Sequence, residues 1–238
     1  MRSLSQLNVQ IFADSADRAS MLTLHARPYI RGLTTNPTLM RRAGIADYRA
    51  FARDILTEIT VKPVCFEVLA DDFAAMEREA MEIASWGDNV FVKIPVTNTT
   101  GVSSAALVRR LADRRVKLNV TAVMTLAQLR EIVPALNPAT PGYVSVFAGR
   151  IADTGIDPVP LMAQAVEMLR VNGNAGLVWA SSRELLNIFQ ADAVGCQVIT
   201  VTADILSKLP LIGHDLAEFS LDTVKMFHDD AQSAGFSL

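Results

Sequence analysis

Residues 88–98 have the sequence Asp-Asn-Val-Phe-Val-Lys-Ile-Pro-Val-Thr-Asn, in which one lysine, Lys93, lies within a short apolar run. Turn-forming residues bound the run, and its β-branched side chains are typical of a strand buried on both faces. In such a strand the ammonium is desolvated, which lowers its pKa and favours a neutral amine that can attack a carbonyl. The run therefore predicts a buried strand carrying a Schiff-base lysine. The alternative is a lysine at a strand end whose amine reaches water.

Seven further apolar runs of strand length alternate with helix-length segments. The predicted strands cover 8–13, 30–34, 63–69, 90–96, 117–123, 143–147, 176–180 and 197–201. The predicted helices cover 15–26, 47–60, 72–86, 101–114, 125–136, 158–172, 182–192 and 203–209. Because parallel strands need a crossover that is usually helical, eight such units predict an α/β fold, a single (β/α)8 barrel over residues 1–238. An open doubly wound sheet is the alternative, but no strand is followed by a GxGxxG or Walker sequence.

An extra helix is predicted over about 215–235. Its apolar residues Leu216, Phe219, Val224 and Phe227 recur at helical spacing after Asp215. A barrel does not need this helix, so we expect it to cover a barrel end or to pack on a neighbouring subunit.

Composition and charge exclude several classes of partner. The net charge of −3 offers no general basic field for nucleic acid. No run of about 18 uncharged apolar residues occurs and the N-terminus has no basic-then-apolar segment, so we expect a cytoplasmic protein without a membrane segment. Cys65 and Cys196 form no CxxC pair, and His25, His214 and His228 are scattered. We therefore expect buried free thiols and no metal site.

Polar side chains lie at or near the carboxyl ends of the first seven predicted strands, where barrel enzymes carry their active sites. These residues are Asp14, Thr34, Asn36, Glu67, Lys93, Asn119, Thr121, Ser145, Ser181 and Arg183. Asn119 and Thr121 are two residues apart, so their side chains share a face of the strand. Arg150 and Arg183, with Ser181, suit bidentate binding of phosphate or a similar anion. We therefore expect one polar site at the barrel mouth.

Some of these residues also have structural explanations. Asp14 can cap a helix that starts near Ser15, and Asn36 can shape the turn before Pro37. Glu67 can form a salt bridge with Lys93 that only holds the core together. The sequence leaves these alternatives open.

Four blocks of the sequence resemble the transaldolases. They are Gly32-Leu33-Thr34-Thr35-Asn36-Pro37, Val92-Lys93-Ile94-Pro95, Asn119-Val120-Thr121 and Ser145-Val146-Phe147-Ala148-Gly149-Arg150. The small-subunit branch, which includes the fructose-6-phosphate aldolases, is the nearest in length. The resemblance extends from Phe12 to Arg183.

The resemblance implies a class I mechanism that needs no metal or cofactor. A dihydroxyacetone unit would pass from a ketose phosphate to an aldose phosphate through a Schiff base on Lys93. Asp14 would act as general acid and base, and Glu67 and Thr121 would hold the water that relays protons. The resemblance also implies a homo-oligomer, either a pentamer or a decamer.

Substrate binding is implied for a second set of residues. The dihydroxyacetone unit would contact Thr34, Asn36, Asn119 and Ser145, with Phe147 beside it, and the distal phosphate would contact Arg150, Ser181 and Arg183.

Two positions separate the branches of the family. The aldolase branch has glutamine at the place of Glu67 and tyrosine at the place of Phe147, so this sequence predicts a transferase over a lyase that releases free dihydroxyacetone. Trp179 stands where the family usually has a small residue, and we expect it to reshape the distal pocket. A substrate that carries a non-phosphate anion such as a sulfonate therefore remains an alternative. A non-catalytic sugar-phosphate-binding barrel is a further alternative, but it would not need a buried lysine.

Overall fold

A computed structural model describes residues 4–235, and residues 1–3 and 236–238 of the predicted domain lie outside the described residues. Eight parallel strands pair in chain order and the first also pairs with the eighth, so the sheet closes into a barrel. The strands are β1 (Gln10–Asp14), β2 (Ile30–Thr34), β3 (Val64–Glu67), β4 (Val90–Pro95), β5 (Leu118–Val123), β6 (Gly142–Val146), β7 (Ala175–Trp179) and β8 (Val198–Thr202). The predicted (β/α)8 fold is confirmed, and the alternative of an open doubly wound sheet is wrong.

Eleven α-helices occur within residues 4–235. They are α1 (Arg18–His25), α2 (Pro37–Arg42), α3 (Tyr48–Glu58), α4 (Phe73–Ala84), α5 (Ala105–Asp113), α6 (Leu126–Ile132), α7 (Ala148–Ala152), α8 (Val159–Leu169), α9 (Leu186–Val194), α10 (Ala203–Leu206) and α11 (Leu216–Ser233). Each predicted helix is present, mostly with later starts and earlier ends. Helix α2 is the helix that the turn before Pro37 predicts near Thr38. The five-residue α7 was not predicted, because it is too short to show a periodic pattern.

The strands alternate between two apolar layers. Val92 and Ile94 belong to the large core between the sheet and the helices, so Lys93 between them points into the barrel. On β7 the alternation is the same, since Val178 belongs to a smaller cluster inside the barrel with Phe12. This alternation decides which side chains can reach a site at the barrel mouth.

Two helix starts bear on the structural alternatives. Helix α1 begins at Arg18, because Asp17 caps it by accepting a 2.7 Å hydrogen bond from the backbone N–H of Ser20. A capping role for Asp14 is therefore wrong. Asn36 does cap α2, since its side-chain oxygen accepts a 2.9 Å hydrogen bond from the N–H of Leu39.

Helix α11 confirms the predicted extra helix. None of its residues is buried, and Leu216, Val224 and Phe227 are each at least 60% exposed. The helix therefore does not cover a barrel end within this chain, and its packing on a neighbouring subunit stays a prediction. Among the described residues, no helix has the length and apolar character to cross a membrane.

Candidate active site

A cavity of about 550 Å³ opens at the carboxyl ends of the barrel strands. All twelve candidate residues line it: Asp14, Thr34, Asn36, Glu67, Lys93, Asn119, Thr121, Ser145, Phe147, Arg150, Ser181 and Arg183. The fold thus brings together side chains that are as much as 169 residues apart, from Asp14 to Arg183. The chemical role of each remains a prediction.

Three of these residues form a row across neighbouring strands. Glu67 on β3 pairs in register with Lys93 on β4, and Lys93 pairs with Asn119 on β5. Because residues in register on parallel strands lie side by side, these side chains enter the barrel at one level. A carboxylate and an amide therefore flank the lysine.

The amine of Lys93 is held inside the barrel. Its Nζ lies 3.0 Å from Oε2 of Glu67 and donates a 2.8 Å hydrogen bond to the carbonyl oxygen of Thr35. The side chain is only 9% exposed, so the alternative of a strand-end lysine whose amine reaches bulk water is wrong. The salt bridge between Glu67 and Lys93 is present, but it lies in the wall of a cavity rather than in a closed core.

The expected direction of the Lys93 pKa is wrong. Burial alone would lower the pKa, but the negative charges of Glu67 and Asp14 outweigh that effect and raise it above its usual range. The resting side chain is therefore an ammonium. A neutral amine at this position would require loss of that proton, and the carboxylate of Glu67 is in contact with it.

Asp14 lies at the end of β1, where hydroxyl and amide groups surround it. Oγ1 of Thr34 donates a 2.8 Å hydrogen bond to one carboxylate oxygen, and Nδ2 of Asn36 donates a 3.5 Å bond to the other. Burial raises the pKa of Asp14 although Lys93 and these hydrogen bonds oppose the shift. A carboxyl group whose pKa lies above its ordinary value exchanges protons more readily near neutral pH, which suits an acid–base group.

The amide of Asn119 has a fixed orientation. Oγ of Ser145 donates a 2.7 Å hydrogen bond to Oδ1 of Asn119, and Nδ2 of Asn119 donates to Sγ of Cys65 at 3.6 Å. Burial raises the pKa of the Cys65 thiol to about 11, so the sulfur stays protonated and uncharged. Asn119 and Ser145 thus form a neutral polar wall beside Lys93.

Thr121 follows Asn119 on the same face of β5. Its Oγ1 is buried and has no hydrogen-bond partner among the described residues. The next residue, Ala122, has a φ of 62°, and the pairing of β5 with β6 shifts register between Val120 and Val123. Irregularities of this kind often re-aim side chains near active sites. The hydroxyl of Thr121 is thus left without a hydrogen-bond partner beside the cavity that the residue lines.

The far end of the cavity carries the two arginines. The guanidinium of Arg150 lies 5.7 Å from the centre of the Phe147 ring. Arg183 is bound to the carboxylate of Asp153 by two hydrogen bonds of 2.9 and 2.6 Å. The two arginines therefore differ, since within residues 4–235 a carboxylate forms hydrogen bonds with the guanidinium of Arg183 and none does so with that of Arg150.

A close backbone approach holds these two loops together. Ser181 has a φ of 63°, and a Cβ at position 149 would lie 1.6 Å from its carbonyl oxygen. Only glycine fits at position 149, directly before Arg150. The arginine is thus placed by a contact between the segments after β6 and β7.

The expectation that Trp179 reshapes the distal pocket is wrong. Its side chain is fully buried and packs in the layer between the sheet and the helices, whereas Val178 and Ala180 face the barrel interior. Because strand side chains alternate, a large residue at position 179 cannot enter the cavity. The shape of the distal pocket is therefore set by other residues.

Four residues that matter to the site were not identified from the sequence. Thr200 on β8 and Arg42 on α2 line the cavity, the carbonyl of Thr35 binds Lys93, and Asp153 binds Arg183. The prediction that the eighth strand contributes no polar residue is wrong. The spacing of Thr200 from Val198 was an available signal, because both share the inner face of β8. No pattern indicates that a backbone carbonyl will bind a lysine.

No group of three or more histidine, cysteine, aspartate or glutamate side chains is arranged to hold a metal ion within residues 4–235.

Comparison with known proteins identifies the family. The family described as Transaldolase/Fructose-6-phosphate aldolase matches residues 11–238. A probable transaldolase of Maridesulfovibrio salexigens is 33% identical over 222 residues, which cover 92% of this chain and 99% of the relative. Probable transaldolases of Sorangium cellulosum and Dehalococcoides mccartyi are 33% and 31% identical and cover 92% and 90% of this chain. The matches cover 98% and 97% of those two relatives.

Solved structures share the fold at low sequence identity. The chain is similar to a 2,3-dimethylmalate lyase, with a TM-score of 0.56 and 13% identity, over 98% of this chain and 86% of the other. It is also similar to KGPDC from Streptococcus mutans, with a TM-score of 0.58 and 9% identity, over 84% and 90% of the two chains. These similarities concern the barrel alone, whereas the sequence matches show that the chain belongs to the transaldolase/fructose-6-phosphate aldolase family.

Proposed function

We propose that this protein is a transaldolase that transfers a dihydroxyacetone unit between sugar phosphates through a Schiff base on Lys93. Membership of the family supports the broader activity, an enzyme of the transaldolase and aldolase type. The observation that carries the finer proposal is the buried amine of Lys93, which lies in a cavity wall 3.0 Å from the carboxylate of Glu67.

The first chemical step follows from the charge of Lys93. The ammonium gives its proton to a neighbouring carboxylate, and the neutral amine attacks the carbonyl carbon of the ketose to form a carbon–nitrogen bond. Loss of the former carbonyl oxygen as water gives a protonated imine. Glu67 and the unpartnered hydroxyl of Thr121 are the groups that we assign to this water and its protons.

Carbon–carbon cleavage uses the imine as an electron sink. Asp14 removes the proton of the hydroxyl next to the scissile bond, the bond electrons pass to the imine as an enamine, and an aldose leaves. An acceptor aldose then reacts in the reverse sense, and Asp14 returns the proton. The raised pKa of Asp14 supports this assignment, because a carboxyl group must be able to accept and release the proton.

The remaining residues bind the ends of the substrate. The neutral wall of Asn119 and Ser145, together with Thr34 and Asn36, suits the hydroxyl groups of a dihydroxyacetone unit. Arg150, Ser181 and Arg183 suit the distal phosphate because guanidinium groups pair with its oxygens. The lyase that releases free dihydroxyacetone uses the same covalent chemistry, so the two activities differ only in the fate of the enamine.

Borohydride trapping tests the Schiff base. Wild-type protein incubated with fructose 6-phosphate and sodium borohydride should gain a reduced adduct on Lys93, identified by peptide mass spectrometry. Lys62 is the internal control, because burial and the charge of Arg31 lower its pKa although it does not line the cavity. Lys93→Met should give no adduct, and an adduct on Lys62 or Lys117 in place of Lys93 would contradict the proposal.

A further inference from the structure

The hydroxyl of Tyr48 binds the backbone of Glu67 twice. It accepts a 2.7 Å hydrogen bond from the N–H of Glu67 and donates a 2.9 Å bond to the carbonyl oxygen of the same residue. Tyr48 is the first residue of α3, outside the barrel, and it lies 19 residues before Glu67 in the sequence. One side chain thus satisfies both backbone polar groups of a cavity residue.

The end of the β2–β3 ladder explains why these groups need a partner. The last residues in register are Thr34 on β2 and Cys65 on β3, and the last ladder bond runs from the N–H of Thr35 to the carbonyl of Cys65 at 3.1 Å. The chain then turns at Asn36 into α2, so β2 offers no further backbone to Glu67. The tyrosine hydroxyl occupies the place of the missing strand, because it can both donate and accept.

The opposite edge of β3 bears on the lysine. There Glu67 is in register with Lys93, and the N–H of Val68 donates a 3.1 Å hydrogen bond to the carbonyl of Lys93. Glu67 is therefore bound between a tyrosine hydroxyl on one edge and the lysine strand on the other. A shift of its backbone would change the 3.0 Å contact between its carboxylate and the amine.

Aromatic packing fixes the position of the hydroxyl. The Tyr48 ring meets Trp86 edge-on at 5.7 Å and Phe66 at 6.1 Å, and Phe66 meets Trp86 at 5.6 Å. Edge-to-face contacts of this kind favour one ring orientation. Phe66 precedes Glu67 on β3 and points to the helix layer, so the same strand positions both the aromatic cluster and the carboxylate.

We infer that Tyr48 is a positioning residue, which sets the place of the Glu67 carboxylate relative to Lys93 by replacing the strand neighbour that β3 lacks. The inference rests on the proposed function, because it assigns Glu67 to proton transfer at the Lys93 imine. Tyr48 itself does not line the cavity and would not touch the substrate.

A double-mutant cycle separates positioning from general stability. The rate of adduct formation on Lys93 with fructose 6-phosphate and borohydride is measured in wild type, Tyr48→Phe, Glu67→Ala and the double variant. We expect Tyr48→Phe to slow the reaction about tenfold when Glu67 is present, since small misplacements of catalytic groups cost up to about a hundredfold. In the Glu67→Ala background the same change should cost less than about twofold, because no carboxylate remains to be positioned.

A second readout is the pH midpoint of adduct formation. If the carboxylate moves away from the amine in Tyr48→Phe, the midpoint shifts to lower pH, toward that of Glu67→Ala. Tyr29→Phe is the matched control: it removes the same hydroxyl just before β2, at the other end of the barrel, and should change neither rate nor midpoint. If Tyr48→Phe does not fold, the cycle is measured with 4-aminophenylalanine in place of Tyr48, which keeps the ring and an N–H donor.

The outcomes are distinct. Equal slowing in both backgrounds, or no slowing in either, overturns the positioning role while wild type still forms the Lys93 adduct. Absence of the adduct in wild type instead overturns the proposed function itself. Slowing confined to the background with Glu67, together with the shifted midpoint, establishes the role of Tyr48.

Discussion

Arg183 and Asp153 form a bidentate pair at the edge of the cavity, with Nε to Oδ1 at 2.9 Å and Nη2 to Oδ2 at 2.6 Å. Both side chains are about half exposed, so the pair contributes little to the stability of the fold. The hydrogen bonds from Arg183 lower the pKa of Asp153, which therefore stays ionised at neutral pH. An anionic substrate would compete with Asp153 for the Arg183 fork, whereas Arg150 has no such competitor among the hydrogen bonds of the described residues.

This difference predicts unequal effects of the two arginines. Arg150→Ala should raise KM for fructose 6-phosphate by roughly 10-fold or more, because a hydrogen bond to a charged group contributes about 1.5–3 kcal/mol. Arg183→Ala should raise it less, since its guanidinium is already paired. With unphosphorylated fructose as donor, neither variant should raise KM. The surface variant Arg170→Ala, which removes a guanidinium paired with Glu167, is the control.

Asp153→Asn completes that test. Removal of the competing charge should lower KM for the phosphorylated donor by about two- to fivefold, in keeping with the small strength of exposed ion pairs. The effect should be smaller in Arg183→Ala, where the charge of Asp153 acts on Arg150 alone. A rise in KM in Asp153→Asn would show instead that Asp153 holds Arg183 in its binding orientation.

The raised pKa of Lys93 predicts a pH dependence. Below its pKa the amine is an ammonium and cannot attack, so adduct formation should increase as the pH rises through that value. Glu67 is one of the charges that raise the pKa, and Glu67→Gln should therefore move the midpoint to lower pH. The measurement is the rate of borohydride-trapped adduct between about pH 8 and 12, because the raised midpoint lies above the ordinary lysine value of about 10.4, with Glu131→Gln on α6 as the surface control. A midpoint unchanged in Glu67→Gln would mean that Asp14 alone sets the charge of the lysine.

Helix α11 carries the prediction of a homo-oligomer. Its exposed apolar residues include Phe219, Leu221, Val224 and Phe227, and none of the helix is buried in this chain. A second subunit would remove this surface from water. Truncation after Gly213 should lower the mass in solution measured by light scattering, and Val224→Glu with Phe227→Glu should act alike in the full chain. A full-length monomer would contradict the prediction.

The periodicity of the sequence was sufficient for the barrel, since buried parallel strands read as apolar runs and each needs a crossover. The cavity residues followed from one rule, that barrel sites lie at the carboxyl ends of strands. The charge of Lys93 did not follow, because the expected pKa rested on burial alone. The salt bridge with Glu67 was weighed only as a structural alternative, and the approach of Asp14 was not visible in the sequence. The prediction for Trp179 failed for another reason. It considered only the size of the residue and not the alternation of strand side chains, which points Trp179 toward the helices.

The partners of the site residues were the least predictable. Tyr48 contacts Glu67, and Asp153 contacts Arg183. Both contacts depend on where β2 and β7 end. Ends of elements are the least certain part of any assignment from sequence. A hydroxyl that replaces a missing strand neighbour leaves no periodic pattern.

The choice between transferase and lyase rests on Phe147 and Glu67, which both line the cavity. A transferase must keep the enamine on Lys93 until an aldose acceptor arrives. Protonation and hydrolysis of the enamine must therefore be slower than its reaction with the acceptor. Phe147 is partly buried against the inner barrel cluster, beside Arg150, and its ring offers no hydrogen bond. Phe147→Tyr adds a hydroxyl that can donate to a water near the imine. We expect it to raise the ratio of free dihydroxyacetone to transferred product several-fold, with fructose 6-phosphate as donor and erythrose 4-phosphate as acceptor.

Glu67→Gln should change this ratio in the same direction, because an amide can donate a hydrogen bond to the water near the imine, which an ionised carboxylate cannot. The matched control is Phe91→Tyr, since Phe91 is buried in β4 against Tyr143 and does not line the cavity. That variant adds the same hydroxyl away from the imine and should leave the ratio unchanged. If wild type already releases mostly free dihydroxyacetone while acceptor is present, the lyase is the correct activity. Phe147 and Glu67 would then not distinguish the two branches, and the fate of the enamine would depend on how fast the acceptor enters the cavity.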